Sequence, residues 1–118
     1  MYNAEQTFSI EANWEKVKHF MKTRFDRDGD LRAVLFVIGL RELGTKKRKF
    51  SKEDKQDLMN LATCQILRPD GYFEVKHLDK DGWPVWHQIK AFPPMNNAEQ
   101  ELFIKSYVIR YLEEDKLL

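Results

Sequence analysis

Apolar residues recur early in the chain at Ile10, Trp14, Val17, Met21 and Phe25, at spacings of four, three, four and four. That spacing puts them on one stripe of an α-helix, for which Ser9 or Asn13 is placed to act as cap. Glu11, Glu15, Lys18 and Lys22 fall off the stripe, at the three- and four-residue separations that form favourable ion pairs. The run Asp26-Arg27-Asp28-Gly29-Asp30 then breaks the pattern. Asp30 is a good N-cap for a second segment and Gly44 a good residue to close it. Between them Leu31, Val34, Leu35, Ile38 and Leu43 keep helical spacing, while Phe36, Val37 and Leu40 fill the opposite face. A helix apolar nearly all round must be central and covered on several sides. The β-branched Val34, Val37 and Ile38 leave a buried strand as the alternative, but length and both caps favour the helix.

Thr45 to Phe50 forms a basic loop. Ser51 caps a third helix, with Asp54 at the position that completes a capping box. Its apolar residues Leu58, Leu61, Ala62 and Ile66 share one face, and Pro69-Asp70-Gly71 ends it. The period then changes to two: Phe73, Val75 and Leu78 precede Asp79-Lys80-Asp81-Gly82, and Trp83, Val85, Trp86 and Ile89 follow. Asp-Gly between apolar runs predicts a β-hairpin. Pro84 has no N–H for a ladder, so the second strand is an edge or starts after it. Pro93-Pro94 closes the hairpin, and Asn96 or Asn97 caps a last helix. Leu102, Phe103, Ile104, Val108, Ile109 and Leu112 give that helix a broad apolar face, with Tyr107 and Tyr111 beside it. Glu113, Glu114 and Asp115 stand at its C-terminus, where the helix dipole disfavours them, so its end is expected to fray.

The expected fold is therefore α+β: a mostly helical single domain over residues 1–118, with three helices, a hairpin and a C-terminal helix. This element order resembles the winged-helix architecture over roughly residues 9–112. The resemblance implies a shape and carries no functional residues with it.

Composition narrows the function classes. The 118 residues are 42% hydrophobic and 33% charged, with few glycines and prolines, which suits a folded domain and excludes disorder as the default. The net charge of +1 is no footprint of a dedicated nucleic-acid or membrane binder. It conceals an asymmetry: residues 1–50 sum to +4 and residues 51–118 to −3. Cys64 is the only cysteine, so an internal disulfide and a cysteine zinc site are excluded, and an unpaired thiol suits a reducing compartment. The first residues lack a basic stretch followed by an apolar one, and the longest apolar run, Ala33 to Leu40, is far short of the ~20 residues of a membrane span. A soluble, cytoplasmic protein is expected, with no membrane partner.

Lys46-Lys47-Arg48-Lys49 is the densest local charge signal, a candidate anion or nucleic-acid patch. Against it stands a solvated loop, which is the commoner outcome for so short a run. In a winged helix the third helix enters the major groove. Here Lys52, Lys55 and Arg68 on that segment are balanced by Glu53, Asp54 and Asp57, and the hairpin carries Glu74, Asp79 and Asp81 against Lys76 and Lys80. Groove-facing elements without positive charge forfeit the phosphate attraction on which such binding depends.

Other chemistry is sparse. Pro69-Asp70 and Glu74-Val75-Lys76 share letters with the PD-(D/E)xK nuclease signature, but three intervening residues are too few to set the acidic pair on adjacent strands. Calcium loops centred on Gly29 or Gly82 would start at Arg24 or His77 and end at Leu35 or Gln88, without the carboxylates such loops need. Cys64, His77 and His87 would make a nucleophile and bases only if the fold gathered them, and no local signature marks any of them. No catalytic residue, metal ligand or cofactor is assigned, and an enzyme is the least favoured class.

The remaining feature is aromatic. Fifteen rings make up 13% of the chain, with two concentrated in Trp83-Pro84-Val85-Trp86. On a regular strand, positions three apart face opposite sides, so one of Trp83 and Trp86 would face the helices and the other outward; the alternative is that both are covered, one by the core and one by the last helix or its Tyr107/Tyr111 pair. Trp and Tyr dominate interface hot spots. The expected function is a non-catalytic intracellular interaction or regulatory module, with a homodimer among the expected assemblies and Trp83, Pro84, Trp86, Tyr107 and Tyr111 as partner-binding residues. A winged-helix-like nucleic-acid binder is the alternative.

Overall fold

The computed structural model describes residues 1–44 and 49–118. In them the predicted element order holds: helices α1 (Ala4–Phe25), α2 (Leu31–Leu43) and α3 (Lys52–Leu67), a 3₁₀ turn (Arg68–Asp70), strands β1 (Phe73–Leu78) and β2 (Pro84–Gln88), and helix α4 (Asn97–Glu114). The fold is α+β and mostly helical. Among the described residues, no helix is long and apolar enough to cross a membrane.

The chain divides into two compact units, Met1–Val34 with Pro93–Leu118, and Leu35–Phe92, the boundary falling inside α2. In the first unit α1 packs on α4. Trp14, Val17 and Met21 of the predicted stripe are buried, as are Phe103, Val108, Ile109 and Leu112 of α4. The Trp14 indole donates to the Gly29 carbonyl at 3.0 Å, tying the middle of α1 to the loop before α2. Lys105 of α4 lies 3.3 Å from Glu11 and 5.2 Å over the Trp14 ring, its side chain only 12% exposed.

α1 starts earlier than Ser9 or Asn13 would allow. Asn3 is the cap: its side chain accepts the Gln6 N–H at 2.8 Å, and Gln6 accepts the Asn3 N–H at 3.0 Å. The apolar stripe begins only where the helix meets a neighbour, while its first turns are solvated and even Phe8 is exposed. At the other end of α1 Phe25 sits on the stripe yet is exposed as well. In α4 the cap is Asn96, which accepts the Glu99 N–H at 2.8 Å. The N-terminal ammonium 2.9 Å away and the Asn96 N–H hold the Glu99 carboxyl below the usual carboxylate range.

In the second unit both predicted ends of α2 and α3 are seen where they are described. Gly44 has φ +69° and its N–H reaches the Leu40 carbonyl at 3.0 Å, closing α2. Ser51 and Asp54 form the full capping box, each side chain accepting the other's N–H at 3.0 Å. Asp30, in the first unit, caps α2 by accepting the Ala33 N–H at 2.8 Å. The helical alternative for Leu31–Leu43 is thus the one the chain adopts. Leu35 and Ile38 are buried, and Gly39 lets α2 approach the α3 backbone at Leu58. α3 buries all of Leu58, Leu61, Ala62 and Ile66, and adds Met59 and Leu67.

Candidate functional site

The antiparallel hairpin pairs Phe73 with Gln88, Glu74 with His87 and Val75 with Trp86, then, past a bulge at Lys76, His77 with Val85 and Leu78 with Pro84. An extra residue on one strand shifts the alternation of faces. Phe73 and Val75 are the half-buried positions of β1, and Phe73 meets the Trp86 ring edge to face at 6.5 Å. Phe92 stacks beside Phe73 and Tyr72, at 6.0 and 5.3 Å.

The tip of the hairpin is organised by one carboxylate. Asp79 accepts the N–H groups of Asp81 and Trp83, both at 2.9 Å, while its own N–H reaches the Trp83 carbonyl at 2.8 Å. Gly82 supplies the positive φ of +85° that the turn requires. These bonds hold Trp83 inside the turn, so β2 begins at Pro84 and the strand rule for positions three apart does not apply to the two tryptophans. Instead of one inward and one outward ring, Trp83 and Trp86 are both half-buried and both line one groove.

That groove has a volume of about 450 Å³. One wall is α3, which contributes Asp54, Asp57, Asn60 and Leu61, and the other is the hairpin, with Asp79, Asp81, Trp83, Pro84 and Trp86. Its carboxylates are not equivalent. Asp54 is occupied in the cap of α3, and Asp79 in the turn. Asp57 and Asp81 are exposed and make no hydrogen bond or ion pair through their carboxylates among the described residues. Among the described residues, no lysine, arginine or histidine lines the groove. The Trp86 indole nitrogen is buried without an acceptor. Such a donor costs folding about 1–3 kcal/mol, and departures of this kind concentrate at functional sites.

Of the residues expected to bind a partner, Trp83, Pro84 and Trp86 are therefore brought together. Tyr107 and Tyr111 lie half-buried on α4, in the other unit, where Tyr107 packs on Phe103 at 5.0 Å and under Arg110 at 4.7 Å. Of the basic run, Lys46, Lys47 and Arg48 lie outside the described residues, and Lys49 is exposed. Asp57 and Asp81 were not singled out as site residues, because their meeting depends on how the hairpin folds against α3. In the sequence Asp57 reads only as charge balance on the third helix, and Asp81 only as turn chemistry and charge on the hairpin.

The candidate nucleophile and bases do not meet in the groove. His77 and His87 are exposed on the strands, and neither they nor Cys64 lines the groove. Burial pushes the Cys64 thiol up to about 11, opposite to an activated nucleophile. Among the described residues, no group of histidines, cysteines and acids is arranged to hold a metal ion. Among the described residues, two hollows belong to the first unit. One, beside Phe20, Leu117 and Leu118, is apolar. In the other, Lys18, Lys22 and Lys105 are already paired with Glu15, Asp26 and Glu11.

No protein-family model matches the chain, and neither does any curated protein or solved structure. The likeness to a winged helix accordingly remains one of element order.

Proposed function

We propose that the protein is a non-catalytic interaction module, acting in the cytoplasm, that receives a protein partner in the groove of α3 and the hairpin. The observation that supports this most is the groove's lining, two tryptophans and a proline held by the hairpin and its turn next to two unengaged carboxylates. Rigid aromatic surface is what interface anchors are made of, and the groove offers no nucleophile or general base paired with one. A second copy of this chain is one candidate partner. The nucleic-acid alternative gains nothing from the groove, because Asp54, Asp57, Asp79 and Asp81 place negative charge on the two elements that would approach a duplex.

The test is a selection from an unbiased displayed peptide library against the immobilised chain. The three tryptophans give three indole N–H signals in a nitrogen-15 spectrum, which locate binding on the molecule. Selected peptides should move the Trp83 and Trp86 signals and leave Trp14 in place, and Trp83→Ala should abolish binding while the far-ultraviolet dichroism is retained. A library without binders, or binders that leave both groove signals unmoved, would overturn the reading.

A further inference from the structure

The lining of the groove also specifies the chemistry of its occupant. We infer that it takes a basic segment of another polypeptide, with one arginine or lysine side chain lying along Trp83 and Trp86 and its cationic head held by Asp57 and Asp81. This rests on the binding role proposed for the same groove.

Two observations converge on it. Of the four carboxylates on the walls, two are committed to the protein's own backbone, Asp54 to the cap of α3 and Asp79 to the hairpin turn. The other two, Asp57 from α3 and Asp81 from the turn, reach the same groove from different elements and form no ion pair among the described residues. Like charges facing one space repel, and a bound cation converts that repulsion into attraction. The second observation is the pair of indoles. A metal ion has no use for aromatic walls, whereas a guanidinium or ammonium is attracted to the face of an indole, and the methylene stem behind it is apolar enough to lie along the rings and Pro84. An anionic or purely apolar ligand would meet the two carboxylates uncompensated, which counts against both.

The test uses acetylated seven-residue peptides of alanine and serine, with arginine, lysine, citrulline, norleucine or glutamate at the centre, and spermidine as a free polycation. The readouts are titration calorimetry and the indole signals. The arginine and lysine peptides should bind and move Trp83 and Trp86 while Trp14 stays. Citrulline, norleucine and glutamate should weaken binding by about tenfold or more, equivalent to ~1.4 kcal/mol. The exposed double variant Asp57→Asn/Asp81→Asn should lose a similar factor for the arginine peptide and little for the norleucine one, and added salt should weaken the wild type more than the variant. Citrulline binding as well as arginine, or a double variant that binds arginine undiminished, would overturn the inference. If library-selected peptides still moved the groove signals, the binding role itself would survive that result. Spermidine moving the signals as strongly as the peptides would replace the peptide by a free polycation. Silence of Trp83 and Trp86 towards every probe, library peptides included, would remove both proposals.

Discussion

Gly39 of α2 lies against the Leu58 backbone of α3, so close that a Cβ built on the glycine would stand 2.8 Å from the Leu58 carbonyl carbon. Both residues are buried. The obstacle is backbone rather than the end of a flexible side chain, so a methyl group there must push the two helices apart. Gly39→Ala is expected to destabilise the protein by about 1–3 kcal/mol, the usual cost of overpacking, despite the better helix propensity of alanine. Urea denaturation checks it; a variant as stable as wild type would mean that the helices are not in contact at this point.

In the other unit, the Trp14 indole and the Gly29 carbonyl share a buried hydrogen bond of 3.0 Å. Trp14→Phe keeps most of the ring in place but leaves the carbonyl without its donor. The expected loss is about 1–3 kcal/mol, again measured by urea denaturation.

Trp86 should behave in the opposite sense. Its N–H has no acceptor while its ring packs on Phe73, so Trp86→Phe removes an unsatisfied donor and keeps an aromatic contact. Stability should be unchanged or higher. Trp86→Ala removes the ring and should cost about 2–3 kcal/mol, less than the ~3–5 kcal/mol of a fully buried aromatic. Thermal melts of the two variants, read side by side, separate the donor from the ring.

Two capping boxes predict unequal effects. Ser51→Ala should cost about 1 kcal/mol, because α3 buries Leu58 only two turns beyond its cap. Asn3→Ala should cost less, since the first turns of α1 carry mostly exposed residues and can fray locally. Hydrogen exchange resolves the two, with Asn3→Ala loosening only the start of α1.

Cys64 supplies a pH-dependent prediction. Burial raises its thiol from 9.0 to about 11 in the folded chain. The folded state therefore holds a proton that the unfolded state releases between those values, and this residue's contribution to stability is complete below pH 9 and is lost as pH rises through about 11. Near pH 8 the folded thiol should carry about a hundredfold less thiolate than an ordinary cysteine. Alkylation by iodoacetamide should be correspondingly slow until denaturant is added; a native rate equal to that of a free thiol would contradict the burial.

What could be read along the chain was what is decided within a few residues. Ser51 with Asp54, Asp30, Gly44 and the Asp79–Gly82 turn are local arrangements of hydrogen bonds and φ, so residue type and spacing determine them. The periods of 3.6 and two, carried by Trp14, Val17 and Met21 and by Phe73 and Val75, determined which elements form and which faces go inward. The start of α1 escaped because its first turns bury little and leave no apolar stripe to see. Only the tertiary structure decided the rest. Gly39 inside an apolar run shows no sign that Leu58, nineteen residues on, needs its missing side chain. Asp79 folds Trp83 back into the turn, which overrides the alternation that would have turned the two tryptophans apart. Asp57 and Asp81 are ordinary surface carboxylates until the hairpin settles beside α3. A site assembled from separate elements depends on distances between parts of the chain, and spacing along the chain carries no measure of those.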